Sequence, residues 1–233
     1  MSDLEAILRI DGVSKTYHRG TENVRALRGA SLTLRPRELV ALIGPSGSGK
    51  STLLNVIAGW ETPDEGEVRW QGGDGVRLAD LPWRDVAILP QSLGLVEDLS
   101  VWENTELPVR LSGGDGQLTE RAGKLLRGLG LEDLADRGPA EISMGEQQRA
   151  ALARALVLSP RLLLADEPTG HQDADWARGV FRAIRFAAKE RTACLVATHH
   201  REAVEFADRV LAIRDGQVRE ISSAEEAPLL TAE

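Results

Sequence analysis

The run Gly44-Pro45-Ser46-Gly47-Ser48-Gly49-Lys50-Ser51-Thr52 stands directly after the apolar segment Leu39-Val40-Ala41-Leu42-Ile43 and directly before Leu53-Leu54-Asn55-Val56-Ile57. G-x-x-x-x-G-K-S in that setting predicts a buried strand, a tight glycine-rich loop and a helix, which narrows the fold to the α/β class. The glycines let several backbone N–H groups turn inward on a phosphate, and the following helix offers its positive end to the same anion. Lys50 supplies a point charge for the β and γ oxygens, and Ser51 a hydroxyl for Mg²⁺. A plain Gly/Ser linker would not carry a strand and a helix on its two sides. The pattern predicts binding of a nucleoside triphosphate.

The 233 residues, 42% of them hydrophobic, suffice for one large domain or a domain with a subdomain. No apolar run approaches the roughly 20 residues that cross a bilayer. Asp3 and Glu5 lie where a secretory leader would be basic, so the chain is expected in the cytoplasm. Cys194 is the only cysteine, which excludes an internal disulfide or a cysteine metal cluster; its apolar setting suggests a buried strand position. A formal charge of -8 argues against nucleic acid as a partner.

Ile7-Leu8-Arg9-Ile10 and Ala30-Ser31-Leu32-Thr33-Leu34, separated by a polar loop at His18 to Asn23, predict an antiparallel sheet ahead of the phosphate loop. Further strands are expected at Glu67 to Trp70 and Val86 to Leu89, the first followed by the turn Gly72-Gly73-Asp74-Gly75. From about residue 93 to 158 the pattern is helical, with Thr119 as N-cap of a helix from Glu120 to Leu129 and Gly130 as its stop. Leu162 to Ala165 and Thr192 to Ala197 are continuous apolar runs, as in parallel strands covered on both faces. Between them a helix is expected from Asp175 to Ala188, with Trp176, Val180 and Ile184 on one face.

The run Leu162-Leu163-Leu164-Ala165 ends in Asp166-Glu167, so both carboxylates are expected at the carboxyl edge of the sheet, where α/β proteins place ligands. Asp166 would hold Mg²⁺ through its water shell, and Glu167 would orient or deprotonate an attacking water. A solvated strand end is the plainer reading of such a pair standing alone.

With these motifs the chain resembles, over nearly its whole length, the ATPase subunits of ATP-binding cassette (ABC) transporters. That resemblance implies a P-loop NTPase with a RecA-like core, an N-terminal antiparallel β subdomain and an inserted α-helical subdomain. Residues 1–91 and 159–220 would form the β subdomain and nucleotide-binding core, about 92–158 the helical subdomain, and 221–233 a weakly ordered tail. It further implies that Tyr17 stacks on adenine, worth about 1–3 kcal/mol in base-binding proteins. Gln91 would touch Mg²⁺ or the attacking water, and His199 the γ-phosphate. His200 sits where relatives usually carry Asp.

Leu111-Ser112-Gly113-Gly114 matches the first four letters of the family's signature, yet it lies in a Gly/Asp loop and is a decoy. The equivalent stretch is Ile142-Ser143-Met144-Gly145-Glu146-Gln147-Gln148-Arg149, which begins at Ser143, 24 residues before Glu167 (167 minus 143). In the family this helix start clamps the γ-phosphate bound by the other subunit. Met144 replaces a glycine and Glu146 the usual glutamine, which is expected to weaken closure or turnover, or to require an asymmetric partner. Asp173 fills the position of dimer communication, although His171-Gln172 depart from the usual Asn-Leu.

Glu103-Asn104-Thr105-Glu106-Leu107-Pro108 and Glu167-Pro168-Thr169-Gly170 look like subunits that serve lipoprotein release, macrolide or peptide export, and cell division. The implied protein takes ATP and Mg²⁺ as cofactors and dimerises with itself or a homologous subunit around two ATP. It drives an integral-membrane permease on another chain, from the inner face of the membrane. The Trp83 and Trp102 region is expected to pack in the core or form part of the permease docking groove. Two rival readings are an ATP-dependent structural module with little turnover, and a soluble ABC ATPase of DNA repair or translation. The second lacks the long coiled coil or tandem cassettes it would need. A small-molecule kinase would leave Ser143, Gln91 and His199 without a role.

Overall fold

The computed structural model describes residues 6–20, 22–71, 80–82, 84–114, 116–170, 174–200 and 202–221. Strands β1 (Leu8–Arg19) and β2 (Glu22–Leu34) form one long antiparallel hairpin, longer than the two short strands the sequence predicts. Strand β3 (Leu39–Ile43) leads through the phosphate loop into helix α1 (Lys50–Ala58). Strand β4 (Glu65–Trp70) pairs back on β1, which completes a three-stranded antiparallel sheet in the order β2-β1-β4. The expected turn at residues 72–75 lies outside the described residues, as does Trp83.

Strand β5 (Val86–Leu89) enters the main sheet, and the chain then becomes helical. Helix α2 (Val101–Leu111) starts at a capping box in which the Ser100 hydroxyl accepts from Glu103 N–H and the Glu103 carboxylate accepts from Ser100 N–H. The loop before it is held by Asn104, fully buried, whose amide donates to the carbonyls of Val96, Leu99 and Ser100. Residues 93–100 are thus loop and turn, not helix, because these local bonds satisfy the backbone first.

Helix α3 spans Gly116–Gly128 and α4 spans Met144–Leu156. The expected cap at Thr119 is a correction: the helix has already begun at Gly116, and the Thr119 hydroxyl donates to Glu106 on α2 at 3.1 Å. Gly130 does end the turn after α3, with φ 66°, a conformation that suits glycine. Trp102 is half-buried and packs against the cores on either side of α2.

Strand β6 (Leu162–Asp166), helix α5 (Ala174–Glu190), strand β7 (Ala193–Thr198), helix α6 (Glu202–Phe206) and strands β8 (Arg209–Arg214) and β9 (Gln217–Ile221) follow. The six-stranded sheet has the order β5-β6-β7-β3-β8-β9 and is parallel except at β9. Alternate residues of its central strands feed two different cores. Ala41, Ile43, Leu163 and Ala165 pack with α4 and α5, while Val40, Leu42, Leu162 and Leu164 pack with α1 and the antiparallel hairpin. On α5, Val180 and Ile184 are buried as expected, but Trp176 is 43% exposed. Its ring instead lies under the Arg149 guanidinium, 3.8 Å from the ring centroid.

Candidate functional site

Parallel register brings four strand ends to one edge. Leu89 aligns with Ala165, Asp166 with Ala197, and Ile43 with Thr198. The segments that leave these ends are Gln91, Asp166-Glu167, Thr198-His199 and the phosphate loop, arranged in the order of the strands β5-β6-β7-β3. The edge opens into a cleft of about 1340 Å³ lined by both the phosphate loop and the start of α4.

Within the loop, the glycines are required by close approach. A Cβ on Gly44 would lie 2.2 Å from the Ile213 carbonyl oxygen, and one on Gly49, at φ 106°, would lie 2.5 Å from that of Ala26. Pro45, Ser46, Gly47, Gly49, Lys50, Ser51 and Thr52 line the cleft; Gly44 and Ser48 do not, and Ser48 Oγ is buried without a partner among the described residues. Lys50 is buried, its ammonium donating to the Gly44 and Pro45 carbonyls at 2.8 and 3.0 Å, and it stands 3.9 Å from Glu167 Oε1. Its charge is therefore held at the loop by carbonyls that an anion can replace.

Glu167 leaves β6 in the left-handed region at φ 48°, a costly conformation for a residue with a side chain. Its N–H donates to the Ala197 carbonyl, and its Oε2 accepts from the Thr198 hydroxyl at 3.0 Å and from His199 N–H at 3.4 Å. Oε1 faces His199 Nδ1 at 3.0 Å. Asp166, one residue earlier, is half-buried, and its Oδ1 has no partner among the described residues. Burial pushes its carboxyl above the usual range, the Ser51 hydroxyl opposes this, and the Glu167 charge adds to it.

Tyr17 on β1 lines the far side of the cleft, its hydroxyl donating to Glu61 Oε2 at 2.5 Å. Burial, then that hydrogen bond, raises the phenol above its ordinary value. Gln91 is exposed and also lines the cleft. Two residues on, Leu93 and Gly94 both take φ 59°, and Arg154 of α4 donates to their carbonyls, each at 2.7 Å.

Ser143 is the N-cap of α4. Its hydroxyl donates to Glu146 Oε2 at 2.8 Å, and the same carboxylate oxygen accepts Ser143 N–H at 2.7 Å. Met144, half-exposed, lines the cleft of its own chain, whereas Ser143, Gly145 and Glu146 do not. The look-alike stretch at 111–114 is the end of α2, with Ser112 as its C-cap, and Gly113 turns the chain at φ 68°. Asp173 and its neighbours His171 and Gln172 lie outside the described residues. Reading the sequence alone missed Glu61, Thr198 and Arg154, since each meets its partner across 31 or more positions. Cys194 is fully buried, and burial drives its thiol pKa up, which removes it from chemistry. Among the described residues, no helix is long and apolar enough to cross a membrane.

Residues 27–170 match the ABC transporter family. The lipoprotein-releasing system ATP-binding protein LolD of Maricaulis maris is 42% identical over 226 residues, which cover 94% of this chain and 97% of that protein. The macrolide export ATP-binding/permease protein MacB of Brucella melitensis is 38% identical over 218 residues, 91% of this chain and 34% of that longer protein. A solved dimer of the ATP-binding cassette MJ0796, in a post-hydrolysis state with ADP and Pi, superposes with a TM-score of 0.82. It is 32% identical and covers 92% of this chain and 98% of that one. The chain belongs to the ABC transporter family, as a nucleotide-binding ATPase domain of the subgroup that includes these lipoprotein-releasing and macrolide-export relatives.

Proposed function

We propose that this ATPase closes as a dimer around two Mg-ATP and opens after hydrolysis, driving a separate membrane permease that handles a lipoprotein, lipid or peptide. The observation that carries the reading is the meeting of Lys50, Glu167, His199 and Gln91 around one cleft, with Asp166 beneath it. The names of the relatives, a lipoprotein-releasing subunit and a macrolide exporter, support the export class.

In this reading the β- and γ-phosphates displace the Gly44 and Pro45 carbonyls from Lys50, and the loop N–H groups and the start of α1 hold the anion. Tyr17 stacks on the adenine. Glu167 accepts a hydrogen bond from the attacking water, and its clamp by Thr198 and the His199 backbone fixes the carboxylate plane. His199 then donates to the γ-phosphate. The signature residues Ser143, Met144, Gly145 and Glu146 meet the γ-phosphate of the partner protomer, and Asp173 couples the two protomers.

The donors fit Mg²⁺: the half-buried Asp166 carboxyl interacts with the Ser51 hydroxyl and keeps Oδ1 without a partner among the described residues, an all-oxygen set that the Gln91 amide oxygen can join. Bound there, Mg²⁺ would neutralise charge on the β and γ oxygens. The chain's own part is positioning and electrostatics.

Light scattering of Glu167→Gln protein with and without Mg-ATP tests the reading. An ATP-dependent doubling of mass, together with a loss of turnover on the order of 10²–10⁴, is expected. A chain that stays monomeric in Mg-ATP, or a variant with unchanged turnover, overturns it.

A further inference from the structure

Strand β7 delivers two imidazoles in a row, His199 and His200, opposite the Glu167 carboxylate. Their rings lie 4.4 Å apart with a tilt of 34°. One ligand-capable atom from each of Glu167, His199 and His200 lies within 4.8 Å of the other two. His200 is three-quarters buried, its Nε2 has no partner among the described residues, and its Nδ1 stands 3.8 Å from Glu202 Oε2. The His200 backbone is held in place by its N–H, which donates to the Thr198 hydroxyl at 3.1 Å. Thr198 and the His199 N–H occupy Glu167 Oε2, so Oε1 is the oxygen presented to the histidine side, with Lys50 at 3.9 Å.

We infer that Glu167, His199 and His200 form a binding site for a late first-row divalent cation, Zn²⁺ or Co²⁺, distinct from the oxygen site for Mg²⁺. Two imidazoles and one carboxylate suit such ions, whereas Mg²⁺ selects oxygen donors. Zn²⁺ bonds of about 2.0–2.2 Å put tetrahedral ligand atoms roughly 3.3 Å apart. Glu167 and His199 already meet that spacing at 3.0 Å. Closing the wider gaps, all within 4.8 Å, takes a turn of the His199 ring, whose side chain is 57% exposed, together with a shift of the Glu167 carboxylate or the His200 ring. Glu202, 3.8 Å behind His200 Nδ1, is within a small movement of the hydrogen bond by which an outer carboxylate commonly orients a metal-bound imidazole. Three protein ligands leave a fourth position for water or a phosphate oxygen.

An ion held here occupies the carboxylate and the imidazole assigned above to water and γ-phosphate, so it stops turnover. That consequence rests on the proposed hydrolytic roles of Glu167 and His199; the cation site itself does not.

The test titrates Co²⁺ into tag-free, nucleotide-free, Mg²⁺-free protein and follows visible absorption. One equivalent should develop the intense bands of four- or five-coordinate Co²⁺, bleached by one equivalent of Zn²⁺. His199→Asn and His200→Asn should each weaken the site by roughly tenfold or more. Absence of the bands, or an affinity in either variant equal to that of the unaltered chain, overturns the site. In Mg-ATP hydrolysis, His200→Asn should need roughly tenfold more Zn²⁺ than the unaltered chain for half-inhibition, each measured against its own Zn²⁺-free rate. Equal sensitivity overturns the inhibitory role. A chain that shows the Co²⁺ bands but hydrolyses no ATP would refute the ATPase reading and leave the site standing.

Discussion

The Ser143 hydroxyl is turned into its own helix: it donates to Glu146 Oε2 at 2.8 Å and accepts from Glu146 N–H at 3.3 Å. A serine proposed to meet a phosphate across a dimer interface is thus engaged by a carboxylate of its own chain, and an incoming anion must displace that carboxylate. Glu146→Ala should remove half of the capping box and cost about 1 kcal/mol, a fall in Tm of about 2–4 °C. It should also free the hydroxyl and the α4 N-terminus, so that ATP-dependent dimerisation needs less nucleotide. A melt and a light-scattering titration on the same sample read both effects. A variant that melts lower and dimerises no better would show that Glu146 acts only as a cap.

Those Ser143 hydrogen bonds, its backbone N–H first, hold the Glu146 carboxyl below its ordinary pKa. A depressed carboxyl gives stability that is present above the unfolded pKa and fades as pH falls through the lower folded one. The loss of Tm caused by Glu146→Ala should therefore shrink at acid pH.

Asp166 titrates in the opposite sense. Its folded pKa is raised, chiefly by burial, above the ordinary carboxyl value. The folded state then holds the proton more tightly, so stability is highest below the unfolded pKa and declines as pH rises through the folded one. Ionised Asp166 is a strain on the nucleotide-free protein at pH 7. Asp166→Asn should melt higher there in EDTA, by no more than about 2–4 °C because solvent screens part of the group. The difference should vanish near pH 4. With Mg-ATP the order should reverse, since the variant loses its metal oxygen. Melting curves across pH, with and without Mg-ATP, decide it.

The parts of this fold that sequence discloses are the local ones. Leu39–Ile43 and Leu162–Asp166 are continuous apolar runs that end in special chemistry, and both form buried parallel strands with that chemistry at their ends. The pairing of β6 with β7 and of β7 with β3 is not written in any local pattern; it follows from which apolar faces the two cores can bury. The same limit hides Tyr17 and Glu61, which meet across 44 positions. Gly116, a poor helix former, masks the true start of α3 because packing of Ala122 and Leu126 outweighs propensity. Trp176 fits the helical spacing of Val180 and Ile184, yet its ring lies under the Arg149 guanidinium instead, since an indole can trade core burial for a guanidinium partner.

Tyr17 separates two contributions that a single substitution would merge. Tyr17→Phe keeps the ring and gives up the hydrogen bond to Glu61, so ATP affinity should stay within about twofold. Tyr17→Ala removes the stacking face and should weaken binding by about 1–3 kcal/mol. Calorimetric titration with a slowly hydrolysed ATP analogue distinguishes them; equal losses in both would place the effect in the Glu61 bond and not in stacking.

Arg154 ties the strained turn after Gln91 to helix α4. Its guanidinium is half-buried and donates one N–H to the Gly94 carbonyl and another to that of Leu93, while Leu93 itself sits at φ 59°. Burial lowers the guanidinium pKa, but two carbonyl acceptors keep the charge solvated by protein. Arg154→Met fills the space and removes both donors, so it should cost about 1.5–3 kcal/mol. Leu93→Gly relieves left-handed strain of about 1–2 kcal/mol but also removes a side chain buried in the core, so it destabilises on its own. If the turn is held by Arg154, the two changes are coupled, and a double-mutant cycle in urea should give an interaction energy of about 0.5 kcal/mol or more. Strict additivity would mean that Leu93 keeps its conformation without the arginine.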